Sequence, residues 1–422
     1  MKKIMVVMGI FLGLSLRVLA VGELPDFTGR IAIIGSDYNI YTISPTAVTP
    51  LTTDGSESHA YQWPTWSRDG RLAYFCCDLA SANSFETGVY ISADGLTSGR
   101  EVISSFGQSV IYASWSPANC ENDTSCRDLA ILVSDPTESS LRVQLIRDRG
   151  TDRTVSDAGF GSPFYTAFSP DGSALLFHRN NSAVEVFTIE DGNTAKVIEG
   201  DSSGTFQAAM WSPVDNRLLY GVSGSAARTD LAISENGTSR VLVQDVPGLV
   251  AFEWSPNGEY IAYRSRTRET LGNVIVVDSM TGETVAQSGG EAFSFWWSPD
   301  SSSIAMMQVG ADTGNSAAIQ RTIANRAVAQ TDNPALQWSV LTIASGQSRI
   351  YTPFFPNYEL VYLANYFDQF YISHQIWSPD SRYLVYSELI APSGNSQVTL
   401  LDTQEGGTYK LADGFIGVWS YE

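Results

Sequence analysis

The sequence predicts an all-β chain folded as a single β-propeller of eight four-stranded blades. Three observations predict it. A Trp-Ser turn signature recurs eight times, most signatures stand about 43 residues apart, and the two terminal segments complement each other as parts of one blade. A repeat of roughly 40–45 residues is the length of one four-stranded blade.

The signature reads Trp66-Ser67-Arg68-Asp69-Gly70, Trp115-Ser116-Pro117, Phe168-Ser169-Pro170-Asp171-Gly172, Trp211-Ser212-Pro213 and Trp254-Ser255-Pro256-Asn257-Gly258. It continues as Trp297-Ser298-Pro299-Asp300, Trp377-Ser378-Pro379-Asp380 and Trp419-Ser420. Each unit has one grammar. An apolar strand, a, ends in Trp-Ser. Pro then presets φ, and Gly or Asn supplies the tight corner. Strand b follows, as in Tyr260-Ile261-Ala262-Tyr263, then an apolar strand c, as in Val274 to Val277. A Gly turn leads to a short strand d, as in Arg240 to Val243.

The ends carry the closure. Residues 31–52 read as b, c and d with no Trp-Ser strand before them, and residues 415–420 read as a lone strand a. The C-terminal strand is therefore expected to complete the N-terminal blade, which removes an exposed sheet edge. The wide gap between Trp297 and Trp377 is read as one blade with two insertions. The first is about 310–336, Ala- and Gln-rich. The second is about 353–371, aromatic, with Phe354, Phe355, Tyr358, Tyr362, Tyr366, Phe367, Phe370 and Tyr371. The propeller so read spans 28–422 as one domain.

Composition agrees with many short strands. The chain has 422 residues, 43% hydrophobic and 11% aromatic, with 35 Gly, 10 Trp and 19 Tyr. Its net charge is −20. A phosphate backbone must be met by clustered Lys and Arg, so a nucleic-acid partner is excluded as an expectation. Residues 1–20 read as an export signal: Lys2 and Lys3, an apolar run from Ile4 to Leu16, and the small-residue end Val18-Leu19-Ala20. That run is short of the roughly 20 apolar residues of a membrane span, and no later segment reaches that length. The expected location is exported, periplasmic or extracellular, with no transmembrane segment once the signal is removed.

The repeated Trp-Ser-Pro-Asp-Gly turn followed by an apolar-aromatic strand resembles the WD40-like (PD40) repeats of TolB-type propellers. It is more distantly similar to the propeller domain of dipeptidyl-peptidase and prolyl-oligopeptidase relatives. The match runs over essentially all of the chain after the signal. TolB-type proteins usually carry six blades and an N-terminal α/β domain, whereas this chain reads as eight blades without one. The peptidase relatives carry a hydrolase domain, and no such segment is read here. The resemblance therefore implies the fold, while propellers as a class host many activities.

In such a blade the b–c and d–a connections share one face, so both insertions fall together at one mouth of the central channel. The segments around it include His59, Tyr61, Trp63, Tyr112, Tyr165, Phe206, Gln207, Phe252, Phe293, Phe295 and His374. With Tyr366, Phe367 and Phe370 they predict a site for a protein, peptide or glycan. The same aromatics also suit packing between blades, as the signature residues Trp66, Trp115, Phe168, Trp211, Trp254, Trp297, Trp377 and Trp419 must pack.

Catalytic motifs are poor. Gly200-Asp201-Ser202-Ser203-Gly204 matches a nucleophile elbow, but that motif needs a strand-to-helix turn in an α/β sheet. The chain has three histidines, His59, His178 and His374. No metal-ligand spacing, P-loop or dinucleotide fingerprint is present, so neither a metal nor a cofactor is expected. The favoured reading is an exported, non-catalytic binding propeller. The alternative is a hydrolase or lyase at the channel mouth, using carboxylates such as Glu253 and Glu291. Of the four cysteines, Cys120 and Cys126 flank one a–b turn and are expected to pair. Cys76 and Cys77 end a b strand, either as buried thiols or as a vicinal disulfide.

Overall fold

The structure is a computed structural model. It describes residues 24–422 apart from 82–83, 121–122, 136–138, 151, 181–183, 197–206, 225–226, 236 and 311–334. The expected export signal, the Gly200–Gly204 motif, Phe206 and nearly all of the 310–336 insertion lie outside the described residues. No described helix is long and apolar enough to cross a membrane.

The chain is an all-β single propeller. Successive antiparallel strands stack outward from a central axis, and the innermost strand of each sheet ends on its signature. In sheets 1 to 6 these inner strands are His59–Trp66, Ser109–Trp115, Phe164–Phe168, Met210–Trp211, Leu249–Trp254 and Ser294–Trp297. Each of those six sheets has four strands.

The number of sheets corrects the expectation of eight separate blades, because the strands form seven sheets. The seventh is six-stranded and holds two signatures, Trp377 and Trp419. Its strands run, in spatial order, Tyr383–Ile390, Asn395–Asp402, Thr408–Trp419, Ile31–Gly35, Ile40–Ser44 and Ala47–Pro50. The reason is one continuous strand, Thr408–Trp419. Its first half pairs with the preceding strand, from Leu401↔Thr408 to Gln397↔Asp413. Its second half pairs with the N-terminal strand, from Gly35↔Gly414 to Ile31↔Trp419. Two units are thereby fused, and the ring is closed by hydrogen bonds between the chain's two ends. The segment up to Trp377 contributes only two isolated bridges, Gln375↔Trp419 and Trp377↔Leu384.

The signature turn explains itself in hydrogen bonds. Ser169 accepts from Ala174 N–H at 3.0 Å and donates to Asp171 at 2.6 Å. Ser298 and Asp300 repeat the pattern at 2.6 Å. A serine hydroxyl thus caps the turn that its own aspartate orders. Glycine closes the turn because φ is +73° at Gly172, where a Cβ would stand 2.3 Å from Ser116 Oγ of the neighbouring sheet.

The signature tryptophan fastens sheet to sheet. Trp115 Nε1 donates to Thr65 O at 3.0 Å, Trp66 Nε1 to Val418 O at 3.2 Å, and Trp377 Nε1 to Trp296 O at 3.1 Å. Each acceptor is the residue before the signature tryptophan of the preceding unit. The indole N–H groups of Trp211, Trp254, Trp297 and Trp419 lack a partner.

Candidate functional site

The two ends of the channel are built differently. At one end the chain leaves strand Gln347–Ile350 and folds into the axis as two short helices, α1 (Tyr358–Asn365) and α2 (Phe367–Phe370). Asn357 begins this plug. Its Oδ1 accepts from Leu360 N at 3.0 Å and from Ser387 Oγ at 2.9 Å. Its Nδ2 donates to Ser396 Oγ at 2.7 Å and Phe415 O at 2.6 Å. One buried amide therefore caps α1 and ties it to the seventh sheet.

The aromatic residues expected to line an open mouth here are mostly packed. Phe370 is buried, stacks on Trp63 at 5.5 Å and meets the edges of Tyr112 at 5.5 Å and His374 at 5.1 Å. Phe367 is buried against Phe295 at 4.8 Å. Tyr165 is buried beside Ile372, Phe252 lies inside the core between sheets, and Phe293 is buried in the main core cluster. Tyr366 is the exception, at 39% exposure. His59 and Tyr61 form a separate cluster, with His59 Nε2 3.2 Å from the Tyr61 hydroxyl and that hydroxyl donating to Asp54 at 3.0 Å. The Cys76 sulfur lies 3.3–3.4 Å from both His59 ring nitrogens. Such near-equal distances place it over the ring rather than in line with a lone pair. Gln207 bonds to Gly221 O at 2.8 Å, and its own carbonyl lies 2.9 Å from His178 Nδ1.

The other end is open. A cavity of about 520 Å³ is entered through the signature turns, whose prolines Pro117, Pro170, Pro213, Pro256, Pro299 and Pro379 all line it. Sequence reading missed this mouth, although its signal was present. Six prolines at the same turn position of a closed ring must converge on one rim. The plug forms the floor, with Tyr371, Ile372 and His374. Met210, Glu253 and Trp296 stand on the wall. Tyr421 closes the plug from the C-terminal side, donating to Ile372 O at 2.6 Å.

Two titratable side chains in this lining, Glu253 and His374, have polar atoms sealed from water without a hydrogen bond of normal geometry, as do the indole N–H groups of Trp211, Trp254, Trp296 and Trp297. Glu253 is 0% exposed, and neither carboxylate oxygen has a hydrogen-bond partner. Burial raises its pKa well above the ordinary carboxylate range and the Asp368 carboxylate adds to this, while the Trp297 backbone N–H beside it pulls weakly the other way. His374 is 1% exposed. Its Nδ1 is 2.8 Å from Ser373 Oγ, and its Nε2 has no partner. Burial pushes its pKa down to about 3. Behind the floor, burial raises Asp368 to about 6 against the opposing pull of Arg264, whose guanidinium lies 5.4 Å from the Phe367 ring.

Glu253 and Glu291 are not brought together. Glu253 is the one carboxylate among the described lining residues, while Glu291 is exposed at the end of outer strand Thr284–Glu291. On the rim side, Cys120 and Cys126 are joined as a disulfide. The Cys77 side chain lies outside the described residues.

No family model and no curated protein matches this chain. Solved structures do match in fold. The dihydro-heme d1 dehydrogenase NirN in complex with DHE is 11% identical, covers 93% of this chain and 75% of its own, and has a TM-score of 0.55. A prolyl endopeptidase is 12% identical over 90% of this chain and 55% of its own, with a TM-score of 0.50. TolB from Acinetobacter baumannii is 13% identical over 81% of this chain and 80% of its own, with a TM-score of 0.41. At these identities the likeness is one of fold, a propeller similar to those of NirN and the prolyl endopeptidase.

Proposed function

We propose that the chain is an exported, non-catalytic propeller that binds a protein, peptide or glycan partner, and that the partner enters the channel through the signature-turn end. The observation that carries this reading is the cavity of about 520 Å³ with unpartnered Glu253 and His374 at its inner end. Ligand cavities fall at roughly 300–1,000 Å³, with few polar groups among apolar walls. A buried polar atom left without a partner costs stability, by about 1–3 kcal/mol, and Glu253 and His374 are the acceptors so left in this lining, which supports reading them as groups kept for something that arrives. Binding is favoured over turnover because hydrolysis at a glycosidic bond takes a pair of carboxyl groups. The cavity presents one. Export is supported by the N-terminal Lys2-Lys3 segment and the apolar run behind it.

The test uses bulk at the mouth. Val214 lines the cavity and is 56% exposed. In crosslinking within the native envelope, Val214→Trp is expected to lose the captured partner, while Tyr358→Ala with Tyr366→Ala at the plugged end keeps it. The reverse pattern overturns the assignment of the binding end.

A further inference from the structure

We infer that the cavity takes an organic cation, a guanidinium or alkylammonium group, with Glu253 and His374 as its acceptors. This rests on the reading of the cavity as the binding site and names the chemistry of what enters.

The two unpartnered groups both call for a donor. The Ser373 hydroxyl has the Phe370 carbonyl at 3.2 Å as its acceptor. With its proton there, Ser373 Oγ accepts from His374 Nδ1 at 2.8 Å. The imidazole is then the Nδ1–H tautomer, assigned from this network, and Nε2 keeps a bare lone pair. Glu253 offers two further acceptor oxygens when ionised. The unfilled indole N–H groups of Trp211, Trp254 and Trp297 are a different matter. They occupy repeat positions whose counterparts at Trp66, Trp115 and Trp377 bond to the neighbouring unit.

Charge points the same way. Arg68 is the one cation among the described lining residues, and it lies at the rim, 5.8 Å from the Tyr421 ring. Arg264 is on the plug side, coupled to Asp368. Nothing inside the cavity balances an ionised Glu253. The walls supply the rings of Trp296 and Tyr371, and aromatic faces beside a carboxylate are the usual surroundings of a bound cation. A net charge of −20 draws cations to the protein from a distance. The unfilled Nε1–H of Trp296 remains for a carbonyl, which a peptide bearing the cation would bring.

Binding should move one proton. In the empty cavity, burial and the nearby Asp368 carboxylate favour the protonated form of Glu253. When R–NH₃⁺ docks, the carboxyl ionises, its proton leaves to solvent, and the ion pair remains. Affinity then rises with pH. The groups that act on Glu253 are Asp368 on α2, Tyr165, Tyr371 and the Trp297 backbone N–H; Arg264 acts on Asp368 in turn, and His374 shares the lining. Asp368 has finished titrating by about pH 7, His374 stays neutral, and the tyrosines are held above their ordinary range. Arg264, lowered to about 10, keeps its charge near neutrality, so the Glu253 carboxyl is the group whose ionisation the ligand couples to.

Calorimetric titration of the full chain tests this with three probes: acetyl-Gly-Arg-Gly-amide, its neutral citrulline counterpart, and agmatine. The Arg peptide is expected to bind about 30-fold or more tightly than the citrulline peptide, as a desolvated charge pair implies. Glu253→Gln should lose that difference, while its melting temperature at pH 7 is equal or higher, and Glu253→Asp should retain part of it. Titrations in two buffers of different ionisation enthalpy should show about one proton released. A peptide far tighter than agmatine identifies a basic side chain of a partner, and equal affinities identify a free amine. Equal binding of the Arg and citrulline peptides, or unchanged affinity in Glu253→Gln, overturns the cation and leaves the binding cavity standing. Failure of every probe, with Val214→Trp still capturing partners like the wild type, overturns both.

Discussion

The plugged and open ends of the channel share the same strands and differ in what the connections do. At the plugged end, aromatic residues 354–371 are folded inward and become core, with Phe367 and Phe370 buried among residues from several sheets. At the open end, the short Ser-Pro-Asp turns cannot reach the axis, so the channel stays hollow above Tyr371 and His374. The long aromatic connection is thus a filling, and the plainest turns frame the site. An aromatic segment in sequence signals burial against something. Whether that is a partner or the chain's own channel depends on connection length and on where an anchor such as Asn357 fixes it.

This contrast can be broken most sharply at Phe370. Phe370→Ala should cost about 3–5 kcal/mol, read as a fall in the denaturant midpoint, because the cavity opens in a ring of packed aromatics. A change below about 1 kcal/mol would mean that the plug is not core. For the same reason, replacing Tyr366, Phe367 and Phe370 together by Ala should unfold the protein rather than leave a folded non-binder.

The floor between the two ends has its own pH signature. His374 in the folded chain stays neutral to about pH 3, whereas the unfolded chain takes up its proton below about 6.5. The stability due to this group is complete above 6.5 and is lost as pH falls towards 3, by a few kcal/mol. Glu253 acts in the opposite sense, since the unfolded carboxyl ionises above about 4.5 while the folded one stays protonated. Its penalty grows as pH rises from there. Thermal melts of His374→Gln should flatten the acid side of the profile, and Glu253→Gln should gain stability at pH 7 but not at pH 4.

Smaller effects come from the anchors. Asn357→Ala, which strands Ser387, Ser396 and the α1 N-terminus, should cost about 2 kcal/mol in denaturant unfolding. Opening Cys120–Cys126 by Cys126→Ser should cost about 2 kcal/mol, as expected for a loop this short, and should leave the plugged end untouched. Tyr366→Ala, at an exposed position of the plug, should change stability by less than about 0.5 kcal/mol.

The repeat was legible because its causes are local. Trp-Ser-Pro-Asp writes its own turn, and the missing strand at residues 31–52 names its partner at 415–420. The sheet count was not legible. Whether residues 408–419 break into two strands or run through as one is decided by pairing on both sides, with Gly414 packed so closely that a Cβ would meet Ile34 O at 2.4 Å. The site was half legible. Glu253 stood out as an acid near the axis, and His374 as one of three histidines. Their shared isolation was not, because it depends on α2 and Ser373 arriving from a distant connection. The turn-side cavity was not singled out because loop length drew attention away from the repeated prolines.

The strand Thr408–Trp419 also has a consequence in time. Its pairing places Trp419 on Ile31, and Ser420 accepts from the backbone N–H of Arg30 across 390 residues of chain. At roughly 5–20 residues per second, synthesis takes on the order of 20–80 s to span that separation. Throughout that interval the apolar strand Ile31–Gly35 has emerged without the neighbour that will cover its edge. A chain made in this order therefore carries that strand edge first and its cover last.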